Sequence, residues 1–488
     1  MGPGPGSVLS DPPRVAPPAT ADGPGAPPAA TRSRPRLRRT AAALVALALS
    51  ASGGTATALT LRPPRPSSPP VVLTVPVPAL RGLAAGAPAA TPAGVAAALD
   101  PLAGAGGLGT LTGVVTDPAT GTALWDRAGA TPQVPGSAGK LLTTAAALLT
   151  LNPTDRLVTR VVAGPDPGTV VLVGGGDPTL TALPAGQEGV YPDPSRLTAL
   201  ADAVRRAAPG PVTRVLVDTG RYTGASLQDS WDPADVPGGY VAPIEPVMLD
   251  GGRIDPRELD GPRVTDPALT AGRALAGLLG ADRKAVAKGT AAPDAAVLGS
   301  VVSAPISDLV EHTVRASDNV LAEVLAREVA IARNGEPTFA GASAQSLAAL
   351  GQAGFDVTGA TMVDGSGLST QDRVPAKLLG AVLAAAAAPA QGPRDTQFLR
   401  PILTGLPVAG GDGTLSQRYA RDSPSAAGRG VVRAKTGTLT GVSSLAGVAT
   451  DADGRLLVFA LMSNGVLPSV ARPKLDAIAA RLSGCGCR

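Results

Sequence analysis

The stretch VPGSAGKLLTTAAALL, residues 134–149, decides how this chain folds and what it does. A proline and a glycine lead into Ser137, Lys140 follows three residues later, and an apolar run with helical periodicity comes next. Residues three apart on a helix lie on one face, so this hydroxyl and this amine can form a hydrogen bond. The stretch is either the polar start of an ordinary helix or a reactive pair.

Composition and charge exclude several classes of function. The chain has 488 residues, enough for two or three domains, and only 2% of them are aromatic. Its net charge of +4 is already reached within residues 1–60, so the body is balanced and no nucleic-acid partner is predicted. One histidine, His312, and two cysteines, Cys485 and Cys487, are too few and too far apart for a zinc site. We predict no metal and no cofactor.

The N-terminal part predicts export. Residues 1–36 are rich in proline, glycine and alanine, which is typical of a disordered leader. Residues 37–61 combine basic side chains with an apolar run at 41–61 and are either a signal peptide or a signal anchor. The proline-rich segment 62–90 is a linker. Everything downstream is therefore expected outside the cytoplasm, secreted or held at the outer face of the plasma membrane through this segment.

Strand patterns occur at both ends of the body. Residues 111–127 indicate a hairpin, with a turn at DPATG. Three successive strands follow residue 430, in GVVRAKTGTL, SSLAGVATD and GRLLVFALMS. These five strands are expected to form one antiparallel sheet. In the terminal segment 483–488, the two cysteines indicate a frayed tail rather than a functional disulfide.

A segment in the middle of the body is therefore expected to divide the main domain into two parts. We predict a first part of the main domain at residues 91–156, an inserted module of mixed texture at 157–298, and a second part at 299–482. Helices dominate the start of the second part, on both sides of Ser317.

Ser137 and Lys140 suit nucleophilic catalysis. A hydroxyl is a poor nucleophile until a nearby base takes its proton. A neutral lysine can be that base, although a free lysine has a pKa near ~10.4. The chain has six lysines against 36 arginines, and arginine cannot serve as the base. An isolated S-x-x-K is nonetheless a weak signal, because a capping serine followed by a surface lysine is the favoured explanation of a single match.

Two further motifs strengthen the reactive interpretation. The sequence Ser317-Asp318-Asn319 interrupts a helical pattern, and all three residue types also favour helix caps. The segment KTGT, residues 435–438, lies at the start of a predicted strand, where a glycine lets a ligand backbone approach. A strand-end turn would explain that segment alone. The three motifs together and in this order are poorly explained as separate structural features.

With S-x-x-K, S-x-N and K-T-G in order, the chain resembles the active-site serine penicillin-recognising enzymes. Within them it is similar to the D-alanyl-D-alanine carboxypeptidase/endopeptidase family, the class C low-molecular-mass penicillin-binding proteins. GGGDPTL at 174–180, VDGSGLS at 363–369 and LPVAGGDGTLSQR at 406–418 add to the likeness, which spans about residues 95 to 482. The resemblance implies an α+β fold. A β-lactamase/transpeptidase-like domain would hold a five-stranded antiparallel sheet flanked by helices, plus a helical subdomain, interrupted by an inserted α/β module.

The resemblance also implies a role for each catalytic residue. Ser137 would be the acylated nucleophile and Lys140 its base. Ser317 would relay a proton to the leaving D-alanine, and Asn319 would hold the amide carbonyl of the peptide. Lys435 would maintain the electrostatics of the site, and its positive charge is our candidate for keeping Lys140 neutral.

The substrate-binding residues implied by the resemblance lie on one strand. Thr436 and Thr438 flank Gly437 and would bind the terminal carboxylate. The backbone N–H groups of Ser137 and Thr438 would form the oxyanion hole. The expected partners are peptidoglycan stem peptides, and β-lactams as covalent inhibitors.

Two departures and two alternatives accompany this interpretation. The spacer between Ser137 and Ser317 is short for the family, so part of the inserted region is expected to be missing. The segment PGSAGK also replaces the sequence that is commoner around the serine in this family.

The alternative functions are a β-lactamase or related serine hydrolase of the same fold, for which no dedicated glutamate is evident, and a non-catalytic cell-envelope scaffold.

Overall fold

A computed structural model describes residues 86–389 and 396–488. The predictions made for the leader, for the segment at 37–61 and for most of the linker at 62–90 concern residues outside these ranges. Among the helices within them, none combines the length and the apolar character needed to cross a membrane.

The described part of the chain contains ten α-helices and twelve strands. The helices are Pro92–Ala103 (α1), Lys140–Thr150 (α2), Leu197–Ala207 (α3), Pro267–Leu279 (α4), Ile306–Ala316 (α5), Asn319–Ala332 (α6), Phe339–Gln352 (α7), Ala376–Ala387 (α8), Arg400–Thr404 (α9) and Pro468–Ser483 (α10). The strands are Thr110–Asp117 (β1), Thr122–Arg127 (β2), Pro132–Gln133 (β3), Arg156–Ala163 (β4), Thr169–Val173 (β5), Arg214–Asp218 (β6), Ala287–Lys288 (β7), Val297–Pro305 (β8), Val374–Pro375 (β9), Arg433–Leu439 (β10), Val442–Thr450 (β11) and Leu456–Asn464 (β12).

The first sheet joins the two ends of the body, as the sequence predicts. Its five strands are antiparallel in the order β10-β11-β12-β1-β2, so the early hairpin pairs with the last strand. Side chains alternate between the faces of a strand. On β12, Phe459 and Leu461 contribute to one apolar cluster with α1 and α10, while Ala460 and Met462 contribute to another with α2 and α8. Both faces of the sheet are therefore covered.

Helix α2 lies at the centre of the second apolar cluster. It contacts α5, α6, α7 and α8, and nine of its eleven residues are buried. Leu141 and Leu142 have no exposed area. This burial fixes the first turn of α2, and hence the Ser137 region, against the helical part of the domain.

A second sheet of five strands, in the order β7-β6-β5-β4-β8, is built from residues 156–305, so it extends past residue 298, the predicted end of the inserted module. β4 pairs antiparallel with β5 and β8, whereas β5-β6 and β6-β7 are parallel. Apolar residues of α3 and α4 pack against it in a core of their own. The fold class is therefore as predicted, an antiparallel sheet with helices, interrupted by an α/β module.

The C-terminal segment corrects one expectation, because it is packed rather than frayed. Cys485 and Cys487 are buried and joined in a disulfide. The Thr91 N–H donates to the Cys487 carbonyl over 2.7 Å. A Cβ on Gly94 would lie only 2.4 Å from the Cys487 carbonyl carbon, so this glycine allows the tail to lie directly on α1.

Candidate active site

A single 3-10 turn, Gly136–Gly139, presents Ser137 just before α2. Gly136 has a φ of +53°, in the left-handed region that favours glycine. A Cβ on Gly136 would lie 3.1 Å from the Thr438 amide nitrogen, and one on Gly367 would lie 2.0 Å from the Gly136 carbonyl oxygen. The turn is therefore held tightly between β10 and the loop that precedes β9. Ser137 itself is half-buried.

Lys140 begins α2 and has no exposed area. Its Nζ donates to Ser137 Oγ over 3.0 Å, to Asn319 Oδ1 over 2.5 Å and to the Ser366 carbonyl over 2.7 Å. Ser137 and Lys140 are thus in direct contact, and two further acceptors hold the amine of Lys140 in place.

Burial, rather than a neighbouring cation, lowers the pKa of Lys140 to about 8, against the opposing effect of nearby carboxylates. The expectation that Lys435 causes this shift is therefore corrected. Lys435 is equally buried, and burial followed by the charge of Lys140 lowers its own pKa well below the usual range. A buried site disfavours two ammonium groups side by side, so both lysines are shifted towards their neutral forms.

Ser317 ends α5 in the left-handed conformation, with a φ of +59°. Its Oγ accepts a hydrogen bond from Lys435 Nζ over 2.8 Å. The next residue, Asp318, caps α6 by accepting from the Leu321 N–H. Asn319 is the first residue of α6, and this sharp reversal between helices directs its Oδ1 to Lys140.

The strand β10 forms the other side of the site. Lys435 also donates to the Thr436 carbonyl, and the Thr436 hydroxyl donates to Thr414 Oγ1 over 2.9 Å. Gly437 is required here, since a Cβ would lie 2.1 Å from Ser444 Oγ and 2.3 Å from the Pro135 carbonyl oxygen. Thr438, half-buried, follows where β10 passes the Ser137 turn.

The fold therefore joins residues that lie far apart in the sequence. Hydrogen bonds connect Lys140 to Asn319 across 179 positions, and Lys435 to Ser317 across 118. Two serine-lysine pairs result, with the KTGT strand beside them. Within residues 86–389 and 396–488, no group of three or more His, Cys, Asp or Glu side chains is arranged to hold a metal ion.

Sequence reasoning missed what the inserted module contributes. The Tyr240 carbonyl accepts from Asn319 Nδ2 over 2.9 Å. Arg253 forms an ion pair with Asp318 over 3.0 Å, with both side chains about 1% exposed, and Tyr191 donates its hydroxyl to the same carboxylate. Burial alone would raise the pKa of Asp318, but Arg253 and its neighbour Arg263 hold it well below its usual range. Nothing in the sequence around Arg253 signals this contact.

A serine in contact with a buried lysine, beside a second serine-lysine pair at the edge of an antiparallel sheet, is the arrangement expected of a serine hydrolase of the penicillin-recognising class. The family model described as the D-Ala-D-Ala carboxypeptidase 3 (S13) family matches residues 95–260 and 260–484. The chain belongs to this family and is a serine-type D-Ala-D-Ala carboxypeptidase.

Two carboxypeptidases are similar to this chain in sequence, and one solved structure is similar to it in fold. The chain is 46% identical to a carboxypeptidase of Mycobacterium tuberculosis over 403 residues, covering 82% of this chain and 86% of that protein. It is 45% identical to carboxypeptidase DacB of Mycolicibacterium smegmatis over 433 residues, covering 87% and 89%. Among solved structures, penicillin binding protein 4 of Haemophilus influenzae has a similar fold, with a TM-score of 0.63 and 20% identity over 79% of this chain and 97% of that chain.

Proposed function

We propose that this protein removes the terminal D-alanine from peptidoglycan stem peptides through an acyl-enzyme formed on Ser137. The observation that carries the proposal is the contact of Lys140 Nζ with Ser137 Oγ at 3.0 Å, in surroundings that lower the pKa of the lysine to about 8. A general base is most effective when its pKa lies near the working pH.

In the acylation step, Ser137 Oγ attacks the carbonyl carbon of the penultimate D-alanine while Lys140 takes the hydroxyl proton. The carbonyl oxygen becomes an oxyanion, which the backbone N–H groups of Ser137 and Thr438 would stabilise. Each such donor is typically worth ~3 kcal/mol in the transition state. The closeness of Gly136 to the Thr438 amide supports this placement.

The leaving D-alanine then needs a proton on its nitrogen. Ser317 would donate its hydroxyl proton as the C–N bond breaks, and the proton that Lys140 took from Ser137 would then restore the Ser317 hydroxyl. Lys435 Nζ lies 2.8 Å from Ser317 Oγ, where it would stabilise the negative charge that this oxygen carries between the two transfers. Water subsequently attacks the acyl-enzyme, releases the shortened peptide and restores the Ser137 hydroxyl.

The binding roles follow from where β10 lies. It is the last strand of its sheet, so its outer edge can pair with an extended stem peptide. Thr436 and Thr438 would bind the terminal carboxylate, and the absence of a Cβ at Gly437 keeps the strand close to Ser137. Asn319, fixed by Lys140 and the Tyr240 carbonyl, would hold the amide carbonyl of the substrate.

β-Lactams would acylate the same serine and inhibit the enzyme. Rapid hydrolysis of that adduct would need a carboxylate base beside Ser137. The two glutamates of α6 have other partners, since Glu323 accepts backbone N–H groups from Gly365 and Ser366, and Glu328 pairs with Arg221. We therefore expect a long-lived adduct rather than lactamase turnover.

A fluorescent penicillin tests the proposal on the purified protein. We expect a persistent label on the wild type, no label on Ser137→Ala, and an unchanged label on Ser300→Ala, which makes the same change at an exposed serine of β8. Rapid decay of the label would favour a lactamase. An unlabelled wild type would refute the acyl-enzyme. Digestion of a pentapeptide-bearing muropeptide then distinguishes loss of D-alanine from cleavage of cross-links.

The substrate lies outside the cytoplasm, and so does the site of action. We further propose that the apolar segment at 41–61 directs export, either cleaved or retained as an anchor. The mass of the mature protein, isolated from membrane and soluble fractions, decides between the two.

A further inference from the structure

A cluster of buried carboxyl groups lies behind Lys140. Glu323 comes from α6, while Asp364 and Asp372 come from the loop that precedes β9, and all three are at most about 1% exposed. Asp364 has a local role, because it accepts three N–H groups of its own loop and the N–H of the Trp231 side chain. Glu323 has no such local explanation.

Glu323 holds the residue whose carbonyl contacts Lys140. Its two carboxyl oxygens accept from the Gly365 N–H at 3.0 Å each, and Oε1 also accepts from the Ser366 N–H at 2.8 Å. The carbonyl of the same Ser366 accepts from Lys140 Nζ at 2.7 Å. The Gly367 N–H, which shares a peptide unit with that carbonyl, donates to Asp364 Oδ1 over 2.6 Å. Glu323 and Asp364 therefore fix the two sides of Ser366 and, with them, the position of its carbonyl.

The Ser366 carbonyl helps to set the orientation of the Lys140 amine in its neutral form. A neutral lysine has two N–H bonds and one lone pair. Asn319 Oδ1 and the Ser366 carbonyl occupy the two N–H directions, so the lone pair is left facing Ser137 Oγ. Without one of these acceptors the amine could rotate and direct an N–H at the serine instead.

We propose that Glu323 is a positioning residue for the acylation step: by binding the Ser366 N–H, it works with Asp364 to hold Ser366 so that the lone pair of Lys140 faces Ser137. This inference rests on the proposed function of Ser137 and Lys140.

The charge of Glu323 also affects how Lys140 titrates. The charged groups around Lys140 come from every element packed against it: Lys435 of β10, Asp318 between α5 and α6, Glu323 of α6, and Asp364 and Asp372 of the loop. Burial and the Asp364 carboxylate raise the pKa of Glu323 to about 8, so it ionises over the range in which Lys140 loses its proton. As Glu323 ionises, its negative charge opposes the deprotonation of Lys140. The acylation rate should therefore rise with pH over a wider range than it would for a single ionising group.

The test is the pH dependence of penicillin acylation in Glu323→Gln, Glu323→Asp and the wild type. In Glu323→Gln, the acylation rate should rise more steeply with pH, because the negative charge that opposes deprotonation of Lys140 is gone. The midpoint of this rise should move to lower pH by about half a unit or more. The plateau should fall about tenfold as the carbonyl loses its alignment. Glu323→Asp keeps the charge but is one methylene shorter, so its plateau should fall with the midpoint unchanged.

Glu328→Gln is the matched control, being the same change at another buried glutamate of α6, paired with Arg221 and Tyr222 instead. It should lose thermal stability and keep the wild-type pH profile. A folded Glu323→Gln with the wild-type plateau would overturn the inference, whatever its midpoint. If that variant does not fold, a folded Glu323→Asp with a wild-type plateau would overturn it. An unlabelled wild type would instead refute the function of Ser137.

Discussion

At the scale of the residue, burial determines the chemistry of the ionisable groups. Lys140, Lys435 and Asp372 have no exposed area, and all three are driven towards their neutral forms. The sequence identified both lysines through their motifs. It did not indicate that desolvation would depress their pKa values, since burial depends on helices and strands that arrive from distant parts of the chain.

Asp372→Asn tests this effect on stability. Burial and the Asp364 carboxylate raise the pKa of Asp372 to about 9, above the ~3.9 of an unfolded chain. Its contribution to stability is therefore present below pH ~4 and is lost as the pH rises towards 9. Asparagine keeps the neutral form and the hydrogen bond from the Val363 N–H.

The stability of Asp372→Asn relative to the wild type should consequently increase with pH, by up to about 1.4 kcal/mol per pH unit within that window. Denaturant unfolding at several pH values measures it. Asp166→Asn, at an exposed turn, should give a flat difference. A flat difference for Asp372→Asn as well would contradict a protonated Asp372.

At the scale of the element, β10 is both the proposed substrate-binding strand and the strand that lies against the nucleophile. It lies against the Ser137 turn at Gly437, where no side-chain atom is tolerated, and Ser444 of β11 holds the same turn by donating to the Pro135 carbonyl over 2.6 Å. The strand itself was predictable from its apolar and β-branched pattern. Its contact with the turn was not, because that contact depends on the packing of α2 against the sheet.

Gly437→Ala should therefore separate the strand from the nucleophile. The added methyl would displace β10 or the Ser137 turn, and the penicillin acylation rate should fall about a hundredfold, with ~1–3 kcal/mol lost in stability. Gly441→Ala is the control, since that glycine lies in the β10–β11 turn with open space around it. Its φ of +73° predicts a loss of ~1 kcal/mol but near wild-type acylation. Wild-type acylation in Gly437→Ala would contradict the tight contact.

At the scale of the molecule, the inserted module takes part in the active site. Arg253 lies over the Tyr191 ring at 4.9 Å and pairs with Asp318, the residue between Ser317 and Asn319. The sequence left open whether a shortened insertion has any role. The structure connects it to the loop on which two proposed catalytic residues lie.

Arg253→Met should leave Asp318 buried without its main counter-charge. Removing one partner of a buried ion pair typically costs ~3–5 kcal/mol. Since Arg253 holds the pKa of Asp318 low, the stabilisation is present above the unfolded pKa of ~3.9 and is lost as the pH falls through the folded pKa. The variant should therefore unfold in acid at a higher pH than the wild type.

A double-mutant cycle with Asp318→Asn provides the control for this pair. Asparagine remains a good helix cap, so Arg253→Met combined with Asp318→Asn should be less destabilised than the sum of the two single changes. Urea unfolding of the four proteins measures the coupling, and strict additivity would show that the ion pair has no such role.

The order of the motifs, the strands at both ends of the body and the interruption between them could be read from the sequence, because they depend on residue type and on periodicities of two or about 3.6, which are local properties. The reaction class followed from the resemblance of the ordered motifs to a known family. Only the tertiary structure decided which charges are buried, that Arg253 supports the Asp318 loop, and that the cysteine tail lies on α1. It also showed that VPGSAGKLLTTAAALL at 134–149 is both core and site, since the apolar face of α2 buries the turn that presents Ser137 to Lys140. Desolvation and ion pairing depend on distances between residues that are far apart in the sequence, 65 positions in the case of Arg253 and Asp318, and those distances exist only in the folded chain.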